Sequence, residues 1–221
     1  MHPSARGVSR RSFLHGASLA AGGMVAMSRA RPAREEPGPD EGLFVIGPRQ
    51  GYTPHIGVLV SMLDYNRQTI IGSIADLTVE QLDYLHDARA NTIGALALHL
   101  AAVERFYQVN TFEGRREFNR DERRLWGAAL KLGKDARDQI RGHPATYYLE
   151  RLARVRDRTL ATLKAKDDAW LLAVDPASSN DQRGQLNTYW KWFHVCEHES
   201  NHRGQIAWLR SRMPGARPSI D

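Results

Sequence analysis

From Thr53-Pro54 onward, Ile56, Leu59, Val60, Leu63, Ile70, Ile71 and Ile74 recur at the spacing that places side chains on one face of a helix. Proline suits a first turn, where its missing N–H would have had no partner, so a first long helix is expected from about residue 54. Thr92 to Val109 repeats the pattern with Ala95, His99, Ala102, Val103 and Phe106, which sets a histidine inside an apolar stripe. After the breaker Gly142-His143-Pro144, the residues Tyr148, Leu149, Leu152, Val155, Leu160 and Leu163 mark a third helix. A fourth starts near Asn187-Thr188 and stops by Pro214-Gly215. Between these, Asp76 to Leu85 reads as a turn with a short helical step at Thr78-Val79-Glu80-Gln81. Asn119-Arg120-Asp121-Glu122 opens a connecting helix that ends at Gly133, and Asp175 to Gly184 is a polar loop. Leu43-Phe44-Val45-Ile46, cut off by Gly47-Pro48, is expected as a strap across a core, since no other stretch alternates at period two. Four long amphipathic segments without strands predict an all-α fold, a four-helix bundle whose long 111–145 connection permits a crossover between helices two and three.

Composition narrows the function classes. The formal charge of +6 looks basic, but four of the 31 basic residues lie in the first thirty positions, which hold no acid; the remainder has 27 bases against 25 acids. Those bases are dispersed in mixed-sign segments such as Asp121-Glu122-Arg123-Arg124, so no nucleic-acid footprint is expected. Cys196 is the only cysteine, which excludes an intrachain disulfide. Residues 1–30, with Arg10-Arg11-Ser12-Phe13-Leu14 ahead of a Gly/Ala-rich run, have the form of a twin-arginine export signal and are too short to anchor a stable membrane helix. A Pro/Gly-rich linker over 31–42, a bundle over 43–213 and a tail over 214–221 complete the expected organisation.

The candidate chemistry lies in the fourth helix. His194, His198 and His202 are four residues apart and form a column on one helical face, which also carries Val195, Gln205, Ile206 and Leu209. Imidazoles directed into a core need partners, and a metal ion is one. Two adjacent members can share an ion; His194 and His202, some 12 Å apart along the axis, cannot. Sites of this kind take three protein ligands and leave a position open when catalytic, so a third arm is required. His99 is the histidine available on another apolar face. Arg67, inside the first stripe, is a candidate anchor for an anionic substrate, although snorkelling to the surface is the expected behaviour of such a residue. Glu104 lies well round its helix from His99 and is expected to be solvated or behind a ligand. Cys196 faces away from the column and reads as a packed residue.

The stretches Thr92-Ile93-Gly94-Ala95-Leu96-Ala97-Leu98-His99-Leu100-Ala101-Ala102-Val103-Glu104 and His198-Glu199-Ser200-Asn201-His202-Arg203-Gly204-Gln205 resemble the second and last helices of the DinB/YfiT-like metalloenzyme superfamily, over roughly residues 43–213. The resemblance implies an up-down-down-up bundle and one divalent ion held by His99, His198 and His202, with His194 as a neighbour of the site; imidazole ligands favour zinc or nickel. Characterised relatives include thiol-dependent transferases and isomerases, in which the metal is thought to activate a low-molecular-weight thiol. Export would set this chain apart, because such thiols belong chiefly to the cytosol.

The expected function is therefore a metal-dependent enzyme, of thiol-dependent transferase or hydrolase type, acting on a small molecule. Gln205 would orient a ligand imidazole or a bound water. The alternative is a non-catalytic metal-binding or structural module. The expected partner is a small-molecule substrate, with neither nucleic acid nor stable membrane insertion; a homodimer is compatible with the chain.

Overall fold

The computed structural model describes residues 42–176, 178 and 184–216, and within them the chain is helical. The elements are α1 (Pro54–Ile74), α2 (Val79–Leu82), α3 (Ile93–Thr111), α4 (Arg120–Lys131), α5 (Gly133–Gln139), α6 (Ala145–Leu163), α7 (Asp168–Leu172) and α8 (Thr188–Arg212). No strand occurs among the described residues, where Val174 and Asn187 form an isolated bridge. No helix there is long and apolar enough to cross a membrane. The expected export signal, all but the last residue of the expected linker and the end of the tail lie outside the described residues.

The helix starts follow local chemistry. Thr92 caps α3 by accepting from the Ala95 amide at 3.1 Å, and Asn187 caps α8 by accepting from the Trp190 amide at 2.8 Å. Thr78 with Gln81 and Asn119 with Glu122 close reciprocal capping boxes on α2 and α4. Helix α1 is different: Thr53 offers no side-chain cap, and Asp168 of α7 takes that role, accepting from the amides of His55 and Ile56 at 3.1 and 3.2 Å. The short α7 was not expected from periodicity, and its contribution is this tertiary cap. The expected single connecting helix is two. Leu132, with φ of 58°, stops α4, and Gly133, with φ of 73°, opens α5.

Packing around α3 and α8 organises the rest. On the α1–α8 side, Asn66 Nδ2 donates to the Cys196 carbonyl at 3.0 Å and Arg210 Nη1 to the Ser73 carbonyl at 2.5 Å, so the two numberings rise together. Gln108 of α3 meets Thr159 of α6 at 2.9 Å, and Tyr107 of α3 meets His194 of α8 with ring centroids 6.0 Å apart. Two apolar clusters result. One holds Ile56, Leu59, Leu63, Leu163, Leu171, Trp192 and Val195; the other holds Ile70, Ile74, Leu96, Leu100, Leu152, Ile206 and Leu209. Along α1, α6 and α8 a layer of buried charge separates them: Arg67, Arg156 and Glu199.

The strap expected at 43–46 is not part of this core. Phe44 is 84% exposed, and Val45 and Ile46 are also exposed, because the turn closed by the Val45 amide on the Gly42 carbonyl directs these side chains outward. The run is tethered through the Gly47 amide, which donates to Ser61 Oγ at 3.2 Å.

Candidate metal centre

Residues at i and i+4 are 400° apart on a 3.6-residue helix, so a column of three drifts about 40° per step around the axis. The drift is visible on α8. Its buried stripe includes Val195, Cys196, Glu199, His202, Ile206 and Leu209, so His202 is 6% exposed while His198 and His194 are half-buried. The column therefore does not point into the core as a unit. From α3, His99 enters at 7% exposure and meets the inner two members.

The three rings converge on their Nε2 atoms. His99 Nε2 lies 2.8 Å from His198 Nε2, which lies 3.1 Å from His202 Nε2, and the candidate ligand atoms of the trio all fall within 4.8 Å of one another. The opposite nitrogens fix the tautomers. His99 Nδ1 donates to the Ala129 carbonyl at 2.8 Å, and a carbonyl only accepts, so Nδ1 carries the proton and Nε2 the lone pair. His202 Nδ1 donates to Gln205 Oε1 at 2.8 Å with the same result. His198 Nε2 can donate to one of these lone pairs and not to both, so at least one close N···N contact has no proton to share. A cation bound by all three lone pairs removes that conflict, which is the physical test the donor set passes.

Electrostatics agree. Burial pulls the His99 imidazole down to about 4, helped by His202. Burial together with the neighbouring imidazoles pulls His198 down to about 3, and burial lowers His202 as well. All three are neutral near pH 7, the form that ligates a metal.

The other sequence candidates fall as follows. His194 stays outside the trio: its Nδ1 is 3.2 Å from Glu197 Oε2 and its ring stacks on Trp190 at 5.3 Å. Gln205 is exposed but reaches His202 Nδ1, as stated. Arg67 neither snorkels nor lines an open pocket; it is 4% exposed and pairs with Glu199 and Glu104. Glu104, expected to be solvated or behind a ligand, is fully buried and tied to Arg67, Arg156 and Thr159. Burial alone would raise its carboxyl, but the charges of Arg156 and Arg67 hold it below the usual range. Cys196 is buried and its thiol is pushed up to about 12 by burial, so the chain supplies no reactive thiolate here.

Two features had little or no sequence signal. The Ala129 carbonyl is a backbone group near the C-terminus of α4, where carbonyls lack helical partners, and residue type does not reveal it. A cavity of about 430 Å³ between the loop before α3, α3 and α8 is lined by Asn91, Leu96, Asn201, Gln205, Trp208 and Leu209; no histidine of the trio lines it. Gln205 belongs both to this wall and to the hydrogen bond that holds His202.

Helices without strands among the described residues, and three imidazoles from two of those helices close enough to hold one ion, define a helical protein with a candidate histidine metal site. The model of a DinB/YfiT-like family, the mycothiol-S-transferases, matches residues 58–215, a span containing all three histidines, and the chain belongs to that family. No curated protein matches the chain.

Proposed function

We propose that this protein is a metal-dependent S-transferase: with one divalent ion, zinc or nickel, held by His99, His198 and His202, a low-molecular-weight thiol such as mycothiol would give up its proton to solvent and its sulfur would form a bond to an electrophilic small molecule, whose leaving group departs with the bonding pair. The observation that carries this reading is the convergence of three Nε2 atoms, two of them fixed as lone pairs by their Nδ1 partners. Three protein donors are also the number that leaves a position open for an outside ligand in catalytic zinc sites. When bound, the ion supplies Lewis acidity that favours the thiolate over the thiol near neutral pH. The chain's own residues do the rest. Ala129 and Gln205 hold two imidazoles in the ligating tautomer. Asn91, Asn201 and Gln205 offer neutral amides to a substrate in the adjacent cavity, and Leu96, Leu209 and Trp208 offer it apolar contact. Because Cys196 is buried and protonated, the reacting sulfur comes from outside the chain.

The same proposal includes the topology and the address. The four long helices α1, α3, α6 and α8 are read as an up-down-down-up bundle, supported by the numberings that rise together between α1 and α8. Twin-arginine export is supported by Arg10-Arg11 ahead of the Gly/Ala-rich run; replacing both by lysine should retain the protein in the cytoplasm on fractionation. The catalytic reading is tested on metal-reconstituted protein by following consumption of mycothiol and of simpler thiols with an electrophile panel. Thiol loss that depends on added metal and disappears in His202→Ala is expected. Stoichiometric metal without turnover of any thiol would instead leave a binding module.

A further inference from the structure

Arg67 (α1), Arg156 (α6) and Glu199 (α8), which lie between the two apolar clusters, join Glu104 (α3) in a network of four charged side chains, one from each long helix and all at most 4% exposed. Arg67 Nη2 donates to Glu104 Oε2 at 2.6 Å, and Arg67 Nε to Glu199 Oε1 at 3.1 Å. Arg156 Nε donates to Glu104 Oε1 at 2.9 Å, and its Nη2 to Glu199 Oε1 at 3.0 Å. Each arginine also crosses to the other's helix, Arg67 Nη1 to the Leu152 carbonyl and Arg156 Nη1 to the Leu63 carbonyl, both at 2.6 Å.

Stability alone does not explain such a network. Taking four charges out of water offsets much of their mutual attraction, and apolar residues of like volume are often as stabilising. What guanidinium forks add is direction, because each fixes the angle and register of the helices it joins. Glu199 shows the same priority: Oε1 accepts from both arginines, while Oε2, equally buried, has no hydrogen-bond partner among the described residues. It is oriented without being saturated.

The two acids of the network sit on the two helices that carry the histidines. Glu199 follows His198 directly, and Glu104 is five residues past His99, about 7.5 Å along the axis. A slip of one residue between α3 and α8 moves one ligand set by about 1.5 Å, against a tolerance of roughly 0.2 Å in metal–nitrogen distance. Apolar packing alone sets register less sharply than that. We infer that Glu104 and Glu199 are positioning residues for the imidazole trio: Arg67 and Arg156 grip them, hold α3 and α8 in one register and rotation, and so bring the Nε2 atoms of His99, His198 and His202 together. This rests on the metal reading above.

Cobalt titration of the full chain tests it, with circular dichroism and melting curves alongside. Glu199→Gln and Glu104→Gln should remain helical, bind cobalt about 10–100-fold more weakly, as the loss of supporting contacts does in other metal sites, and show an altered visible spectrum. Arg210→Gln is the control. Arg210 ties α8 to the end of α1 through the Ser73 carbonyl and to Asp76 just beyond it, without touching α3; its loss should lower the melting temperature and leave cobalt affinity and spectrum as in the wild type. Should Glu199→Gln not fold, Glu199→Asp keeps the charge, draws it back by one methylene, and should shift affinity and spectrum in the same direction. Folded glutamate variants with wild-type cobalt binding would overturn the inference, as would an Arg210 variant that weakens cobalt equally. Failure of the metal reading looks different: the wild type itself would then develop no cobalt spectrum.

Discussion

Gln205 offers the cleanest single perturbation of the metal centre, because it is exposed while its amide oxygen holds His202 Nδ1 at 2.8 Å. Gln205→Ala removes that acceptor and leaves His202 free to change tautomer and to rotate, without opening a void in the core. Removing a group that orients a ligating imidazole lowers metal affinity about 10–100-fold, or about 1.4–2.8 kcal/mol. The fold should lose much less, since one hydrogen bond at the surface contributes about 1 kcal/mol. The assay is competition for zinc against a chromogenic chelator, run beside thermal melts of the metal-free proteins. Gln205→Glu supplies a charged acceptor to the same nitrogen and should bind zinc at least as tightly as the wild type. Unchanged zinc affinity in Gln205→Ala, with affinity abolished in His202→Ala, would refute the role assigned to the amide. Zinc retained in both variants would refute the trio.

Other expectations separate ligands from neighbours and test the scaffold. His194→Ala should keep stoichiometric metal and His202→Ala should lose it, because His194 is engaged with Glu197 and Trp190 instead of the trio; metal analysis of the purified variants decides. Asp168→Ala removes the tertiary cap of α1 and should cost about 1 kcal/mol in denaturant melts. Burial alone would raise Asp168, but hydrogen bonds from Thr53, His55 and the His55 and Ile56 amides outweigh it and hold the carboxyl down to about 2. That value lies below the 3.8 of an ordinary aspartate, so the cap contributes fully above about pH 4 and is lost as the pH falls towards 2. Asp168→Asn should flatten that part of the acid melt, and an unchanged profile would count against the cap. Gly94→Ala brings a Cβ to 2.5 Å from the Tyr148 hydroxyl, which is buried with no hydrogen-bond partner among the described residues. The variant should be destabilised by about 1–3 kcal/mol despite the better helix propensity of alanine, and Tyr148→Phe in the same chain should restore part of the loss.

The periodicity of apolar residues was enough to place the four long helices, and caps such as Thr92 and Asn187 marked their starts, because spacing and capping are local properties of the chain. The column of three histidines on α8 and the lone histidine in the α3 stripe were legible for the same reason, whereas the choice of His198 and His202 over His194 came from the family resemblance. The chain's own order does not say which inward polar residues face each other. Arg67 read as a snorkelling residue or an anchor for an anionic substrate, and Glu104 as solvated or behind a ligand, because burial of a charge is unfavourable until its partners are known, and those partners lie 37 to 132 positions away. Arg156 carried the same signal as Arg67, a charge inside an apolar stripe, and acquires its meaning only beside Glu104 and Glu199. The drift of the column, the use of the Ala129 carbonyl by His99 and the cap that Asp168 lends to α1 all depend on how helices cross. Sequence thus determined which side chains could do chemistry and on which helical face each stands. Tertiary structure decided which of them meet, since a convergence of Nε2 atoms within 4.8 Å is set by packing between helices whose residues are about a hundred positions apart.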